Sequence, residues 1–206
     1  MSTNIQNHET SAPRVIMSPE ISLIVAPGRT YAALAVGETR IGAVGALRRP
    51  LLAAVVLGTS MAMSCTRHVT PALVFSTTLL LSIVIIGQVV IAIVVTSGND
   101  VKAIGRARAL DLFFASHAPW SLWLLAAAVW VPSTLGLPSA PLWLAALVPM
   151  VLTPRIIAAY FREVHGFDRR RAVVRTIAHQ ALTWGVFIAL FGAAVAIWPR
   201  ILQLLS

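Results

Sequence analysis

Residues 71–96 read PALVFSTTLLLSIVIIGQVVIAIVVT, a run without a charged side chain and with Gln88 as its one strongly polar residue. A helix of that length reaches roughly 39 Å, against about 30 Å of bilayer hydrocarbon, so it crosses a membrane with room to tilt. Pro71 opens the run and Ser97-Gly98-Asn99-Asp100 closes it. Upstream, only Arg67 to Thr70 separates it from a second apolar run, LLAAVVLGTSMAMSCT, entered through Arg48-Arg49-Pro50. Proline suits a first helical turn, and the link is so short that these two spans must form an antiparallel hairpin.

The same reading extends along the chain. A third span starts near Leu112 and runs through FFASHAPWSLWLLAAAVW, with Pro119 predicting a kink or a late helix start. A fourth covers 138–160 with Pro149 and Pro154 inside it, and a fifth covers 177–198. The predicted fold is an all-α, polytopic transmembrane bundle of about five spans, at 50–66, 71–96, 112–135, 138–160 and 177–198. Residues 1–18 are polar and aperiodic and read as a disordered tail. Residues 19–47 hold the apolar patch ISLIVAP and a short helix from Arg29 to Val36. Two readings of that segment stand open: an amphipathic stretch lying on the membrane, or a loop packed against the bundle.

Composition agrees. Hydrophobic residues make up 58% of the 206-residue chain and charged residues 11%, where soluble domains carry about 25% charged. Too little polar surface exists to cover such a chain in water. The net charge of +9 would suggest nucleic acid in a soluble protein; here its position relative to the spans matters instead, and no nucleic-acid partner is expected. Arg14, Arg29, Arg40, Arg48 and Arg49 precede the first span. Lys102, Arg106 and Arg108 lie between the second and third, and Arg155, Arg162, Arg169, Arg170, Arg171 and Arg175 lie around the last link. Only Arg67 and Arg200 fall on the other side. The positive-inside rule predicts a cytoplasmic N-terminus and a C-terminus on the opposite face. Lys102 is the only lysine beside fifteen arginines, which with the high alanine content suggests a GC-rich bacterial genome; the expected location is a bacterial inner membrane.

Catalytic equipment is not legible. Cys65 is the single cysteine, so neither an internal disulfide nor a cysteine metal cluster can form. The five histidines show no HExxH spacing, and the topology places His68 across the membrane from His165 and His179. Ser60 and Ser64 lack the glycine-flanked pattern of a hydrolase nucleophile and read as packing residues. No enzyme activity, metal or cofactor is expected.

The intramembrane polar candidates are Gln88, Asp111 and His117. An ionisable group within a span is a functional suspect, though an aspartate in a first helical turn also complements the helix dipole. Arg108, three residues before Asp111, is a ready partner, and His117 six residues on is not quite on the same face. Gln88 reads as an interhelical hydrogen bond or as part of a polar path. Gly87, Gly185 and Gly192 would allow close helix contact, and the six tryptophans read as interfacial anchors. Arg48, Arg49, Arg162, Arg169, Arg170, Arg171 and Arg175 form a basic surface for anionic lipid headgroups or for a protein partner.

Three stretches together resemble the Yip domain family of polytopic membrane proteins (the Ypt-interacting proteins and their bacterial relatives). They are SLIVAPGRTYAALA at 22–35 followed by RRPLLAAVVLG at 48–58, ALDLFFASHAPWSL at 109–122, and REVHGFDRRRAVVRTI at 162–177. The resemblance implies a non-enzymatic protein of membrane organisation or trafficking that assembles with itself or with a membrane partner. The acidic and tyrosine features of eukaryotic members' tails are absent from this sequence, so a GTPase-binding role is not implied. The alternative is a small transporter, channel or permease subunit with a polar path near Gln88, Asp111 and His117.

Overall fold

A computed structural model describes residues 18–37, 41–96, 104–133 and 140–205. The tail at 1–17, Arg40, Lys102 and the side chains of Trp198 and Arg200 lie outside the described residues. Every regular element described is a helix: α1 (Pro19–Val25), α2 (Pro27–Val36), α3 (Ala43–Thr66), α4 (Pro71–Thr96), α5 (Arg106–Ala115), α6 (Ala118–Ser133), α7 (Ala140–Ala145), α8 (Leu147–Glu163) and α9 (Arg169–Leu205). Four helical stretches are long and apolar enough to cross a membrane. A fifth crossing arises when α5 and α6, bent by 45° at their break, count as one span.

Local chemistry explains most boundaries. Ser18 caps α1 by accepting from Ile21 N–H, and Pro19 fills the first position. Arg67 takes a left-handed φ of 61° that ends α3. The α5–α6 break falls at Ser116–His117, immediately before the Ala118-Pro119 start, because proline disfavours helical geometry in the residue before it and lacks an N–H. α8 ends in a link containing Gly166 at φ 65°, a conformation glycine adopts freely. Asp168 then caps α9 by accepting from Arg171 N–H at 2.7 Å.

Two starts differ from the sequence expectation. α3 begins at Ala43, so Pro50 sits in the helix interior and not in its first turn. α9 begins at Arg169, eight residues before the apolar stretch, because Ala172 and Thr176 continue its buried seam into the arginine-bearing first turns. That seam follows Ala172, Thr176 and His179, all buried, at helical spacing.

Small residues set the closest crossing. Ala46, Pro50, Ala54, Gly58 and Ala62, each buried, recur every fourth residue along α3 and let α4 and α6 approach. A Cβ on Gly58 would lie 2.7 Å from Thr78 Cα and N, and Thr77 Oγ1 donates to Gly58 O at 2.9 Å. Gly185 and Gly192 play no such part: a Cβ on either meets nothing within 4 Å, and one on Gly87 makes ordinary contact with Val186 at 3.8 Å. The close contact is therefore at Gly58.

The core lies at the end of the bundle where α3, α5 and α9 begin and α4 and α8 end; all of these but α4 carry arginines there. It gathers Leu23, Tyr31, Ile91, Val95, Leu112, Phe113, Ile156, Tyr160 and Phe161. Leu23 and Tyr31 are fully buried, so α1 and α2 pack into the bundle through them. Away from this end the spans keep apolar side chains exposed, among them Phe75, Leu79, Leu80, Phe187 and Ile188. In water such faces would be untenable; in a bilayer they meet lipid.

Candidate functional site

Two polar assemblies lie among these helices. The first is ionic. Asp111, 4% exposed, sits in the second turn of α5. Arg49 of α3 donates to its carboxylate through Nη1, and Arg108 Nη1 lies 3.3 Å from the same oxygen. The other arm of Arg49 reaches Glu20 Oε1 of α1 at 3.0 Å. Three helices distant in sequence thus meet through one guanidinium, whose planar fork can serve two carboxylates at once. Burial of Glu20 opposes ionisation, but its backbone hydrogen bond and the Arg49 guanidinium outweigh that and hold its carboxyl below the usual value.

The second assembly is aromatic and histidine-rich. Phe113 lies at the centre: its ring is 5.6 Å from Tyr160, 5.3 Å from His117 and 5.2 Å from His179. Tyr31 stacks edge-on against Tyr160 and donates to Leu112 O at 3.1 Å. Burial pushes its phenol well above the usual value, and Tyr160 adds to the effect. Tyr160 donates to Ala109 O at 3.0 Å, which leaves its oxygen to accept from His165 Nε2, also at 3.0 Å. His165, in the α8–α9 link, is driven by burial down to a pKa of about 4, with Arg175 contributing. His117 and His179, both against Phe113, also meet each other edge-on with ring centroids 5.8 Å apart. His179 Nε2 meets Thr183 Oγ1 at 3.4 Å, and Thr183 donates to Gln88 Oε1 at 3.4 Å.

The sequence candidates therefore separate. Gln88 and His117 come to one row through His179 and Thr183, while Asp111 belongs to the ionic assembly. Ser60 donates to Leu124 O at 2.8 Å and ties α3 to α6. Arg49 is in the ionic assembly and not on the basic surface with Arg48. Arg48, Arg162, Arg169, Arg170 and Arg171 are exposed and Arg175 is half-buried; Arg171 lies 4.4 Å over the Phe167 ring. The tryptophans meet one another: Trp120 packs on Trp123 and Trp184, and Trp123 on Trp143.

Sequence reasoning missed His179, Thr183, Tyr31 and Tyr160. The i, i+4 spacing of His179 and Thr183, in register with Thr176 and Ala172, was the available signal that they share a buried face. Nothing local marks Tyr31 or Tyr160, whose partners are 81 and 51 residues away.

The class these features define is an integral membrane protein built as a helical bundle. No family model matches the chain, and no curated protein or solved structure matches it.

Proposed function

We propose that this chain is a non-enzymatic membrane protein of the Yip type, seated in a bacterial inner membrane with its N-terminus in the cytoplasm. In this reading it organises the membrane or assembles with itself or another membrane protein. The observation that carries the reading is how the polar groups inside the spans are used. Asp111 is held by Arg49 and Arg108, Gln88 by Thr183, and Ser60 by Leu124. These are ties between helices, which is how polar side chains stabilise bundles in lipid. The exposed arginines of α9 stand at the end of a helix whose later residues are apolar and exposed, an arrangement suited to anionic headgroups at the cytoplasmic surface.

The test is purification in mild detergent followed by lipid and protein mass spectrometry. Retained anionic phospholipid that falls at least threefold in an Arg169→Gln/Arg170→Gln/Arg171→Gln variant supports the reading. Retention without headgroup preference, with solute flux in liposomes, would favour the second reading. That second reading, a small transporter, draws on the meeting of Gln88 and His117 through Thr183 and His179. Orientation is checked with reporter fusions: one active only outside the cytoplasm should respond at the C-terminus and stay silent at the N-terminus.

A further inference from the structure

Arg155 interrupts a lipid-facing surface. One side of α8 is buried through Pro149, Thr153, Ile156 and Tyr160. The opposite side carries Val148, Val151, Arg155 and Arg162 at helical spacing, all exposed. Arg155 stands eight residues before the helix end at Glu163, about 12 Å along the axis. α9 returns beside α8, and eight residues from its own start at Arg169 is Ile177. Val173, Val174 and Ile177 are exposed, so the outer surface of α9 is already apolar at the level of Arg155. The guanidinium therefore belongs to the membrane-facing part of α8, deeper than Arg162 and the arginines that open α9.

A cation facing hydrocarbon is costly unless it reaches the headgroups or finds a counter-charge. Side chains lean toward the N-terminus of their helix, which for α8 is away from the arginine-rich end, so extension alone serves Arg155 poorly. The chain offers it no carboxylate among the described residues. Glu20 and Asp111 are taken by Arg49 and Arg108, Glu163 lies beside Arg162, and Asp168 caps α9. A second copy would bring the same engaged groups. Arg162 is free to share an anion, because its contact with Glu163 is 3.8 Å long and its side chain is 55% exposed. Between the two arginines, the outward residue of α8 is the small Ala158.

We propose that Arg155 and Arg162 together hold the phosphodiester of one anionic glycerophospholipid against α8, with an acyl chain along Val151 and Val148. The planar guanidinium fork matches phosphate oxygens, and a headgroup without an ammonium adds no positive charge beside two arginines. This is a discrete lipid site on a different helix from the α9 arginines, and it does not depend on their binding headgroups.

The test titrates full-length protein in mild detergent with phosphatidylglycerol or phosphatidylcholine and resolves the lipid-bound states by native mass spectrometry. The first phosphatidylglycerol should bind at least fivefold more tightly than phosphatidylcholine. Arg155→Gln and Arg162→Gln should each weaken that step at least threefold, whereas Arg169→Gln/Arg170→Gln/Arg171→Gln changes it less than twofold. Arg155 is exposed, so its variant should keep the wild-type elution volume and lipid-free melting temperature. Should the variants fail to fold, a photoactivatable phosphatidylglycerol decides on the wild type, by labelling α8 between Val148 and Ala158. Loss of the first step in the α9 variant alone would overturn this site and leave the α9 reading standing; loss in the α8 variants alone does the reverse. An absent headgroup preference, labelling confined to α9, or displacement by excess inorganic phosphate would also overturn it. So would a co-purifying protein that Arg155→Gln releases while phosphatidylglycerol binding stays intact.

Discussion

Removing the charge of Asp111 should loosen the bundle far more than removing that of Glu20, although both carboxylates bind the same guanidinium. The difference is burial. The Asp111 side chain is 6% exposed, and its partners Arg49 and Arg108 are 14% and 16% exposed. Asp111→Asn leaves two largely buried guanidiniums with only Glu20 to balance them. Breaking a buried pair from one side costs about 3–5 kcal/mol, chiefly through the charge left behind. Glu20 is 41% exposed, and pairs of that kind contribute about 0–1 kcal/mol. With roughly 2–4 °C lost per kcal/mol for a chain of this size, Asp111→Asn should lower the detergent-phase melting temperature by about 6–20 °C. Glu20→Gln should lower it by at most about 4 °C. Tryptophan fluorescence during a thermal ramp reads both. Coupling between Asp111 and Arg49 provides the control: Arg49→Met combined with Asp111→Leu should lose less than the sum of the two single changes. Equal shifts for the two carboxylate variants, or strict additivity in the cycle, would refute the account of Asp111 as the buried anchor.

Two other outcomes follow from particular contacts. Gly58→Ala should destabilise by about 1–3 kcal/mol, as overpacking does, because the new methyl meets Thr78 backbone at 2.7 Å, whereas Gly185→Ala meets nothing within 4 Å. Comparing the two in the same thermal assay checks this, and an equal effect would mean that α3 and α4 do not cross at Gly58. The pH dependence of stability should carry a His165 component. Its folded pKa of about 4 lies below the ordinary 6.5, so above pH 6.5 it has no effect, and stability falls as pH drops from there toward 4. Glu20, with its lowered value, acts in the same sense. His165→Gln should flatten the decline between pH 6.5 and 4 in urea or thermal titrations; an unchanged slope would remove His165 from the account.

Much of this architecture is legible in one dimension. The run at 71–96 announces a membrane span because hydropathy is summed along a single segment and needs no knowledge of neighbours. The break before Pro119 is legible for the same reason, since proline acts on its own helix. The basic start of α9 is equally plain as a string of arginines. The sequence did not reveal where each polar group finds its partner. Asp111 looked like a dipole-stabilised residue beside Arg108, yet its principal partner Arg49 lies 62 positions away. Gln88 and Thr183 are 95 apart, and Tyr31 and Leu112 are 81 apart.

Those meetings depend on how each helix is rotated about its own axis and which helices become neighbours. Rotation is set by shape as much as by polarity, here by the small residues from Ala46 to Ala62 that let α3 sit closely against α4 and α6. Hydropathy carries little of that information, because a span that is apolar all round has no preferred face. The sequence by itself therefore determined that this chain crosses the membrane as an all-helical bundle with its arginines gathered at one end. Only the tertiary structure decided that Arg49 would join three helices, that Gly58 would take the closest crossing, and that His117 would meet His179.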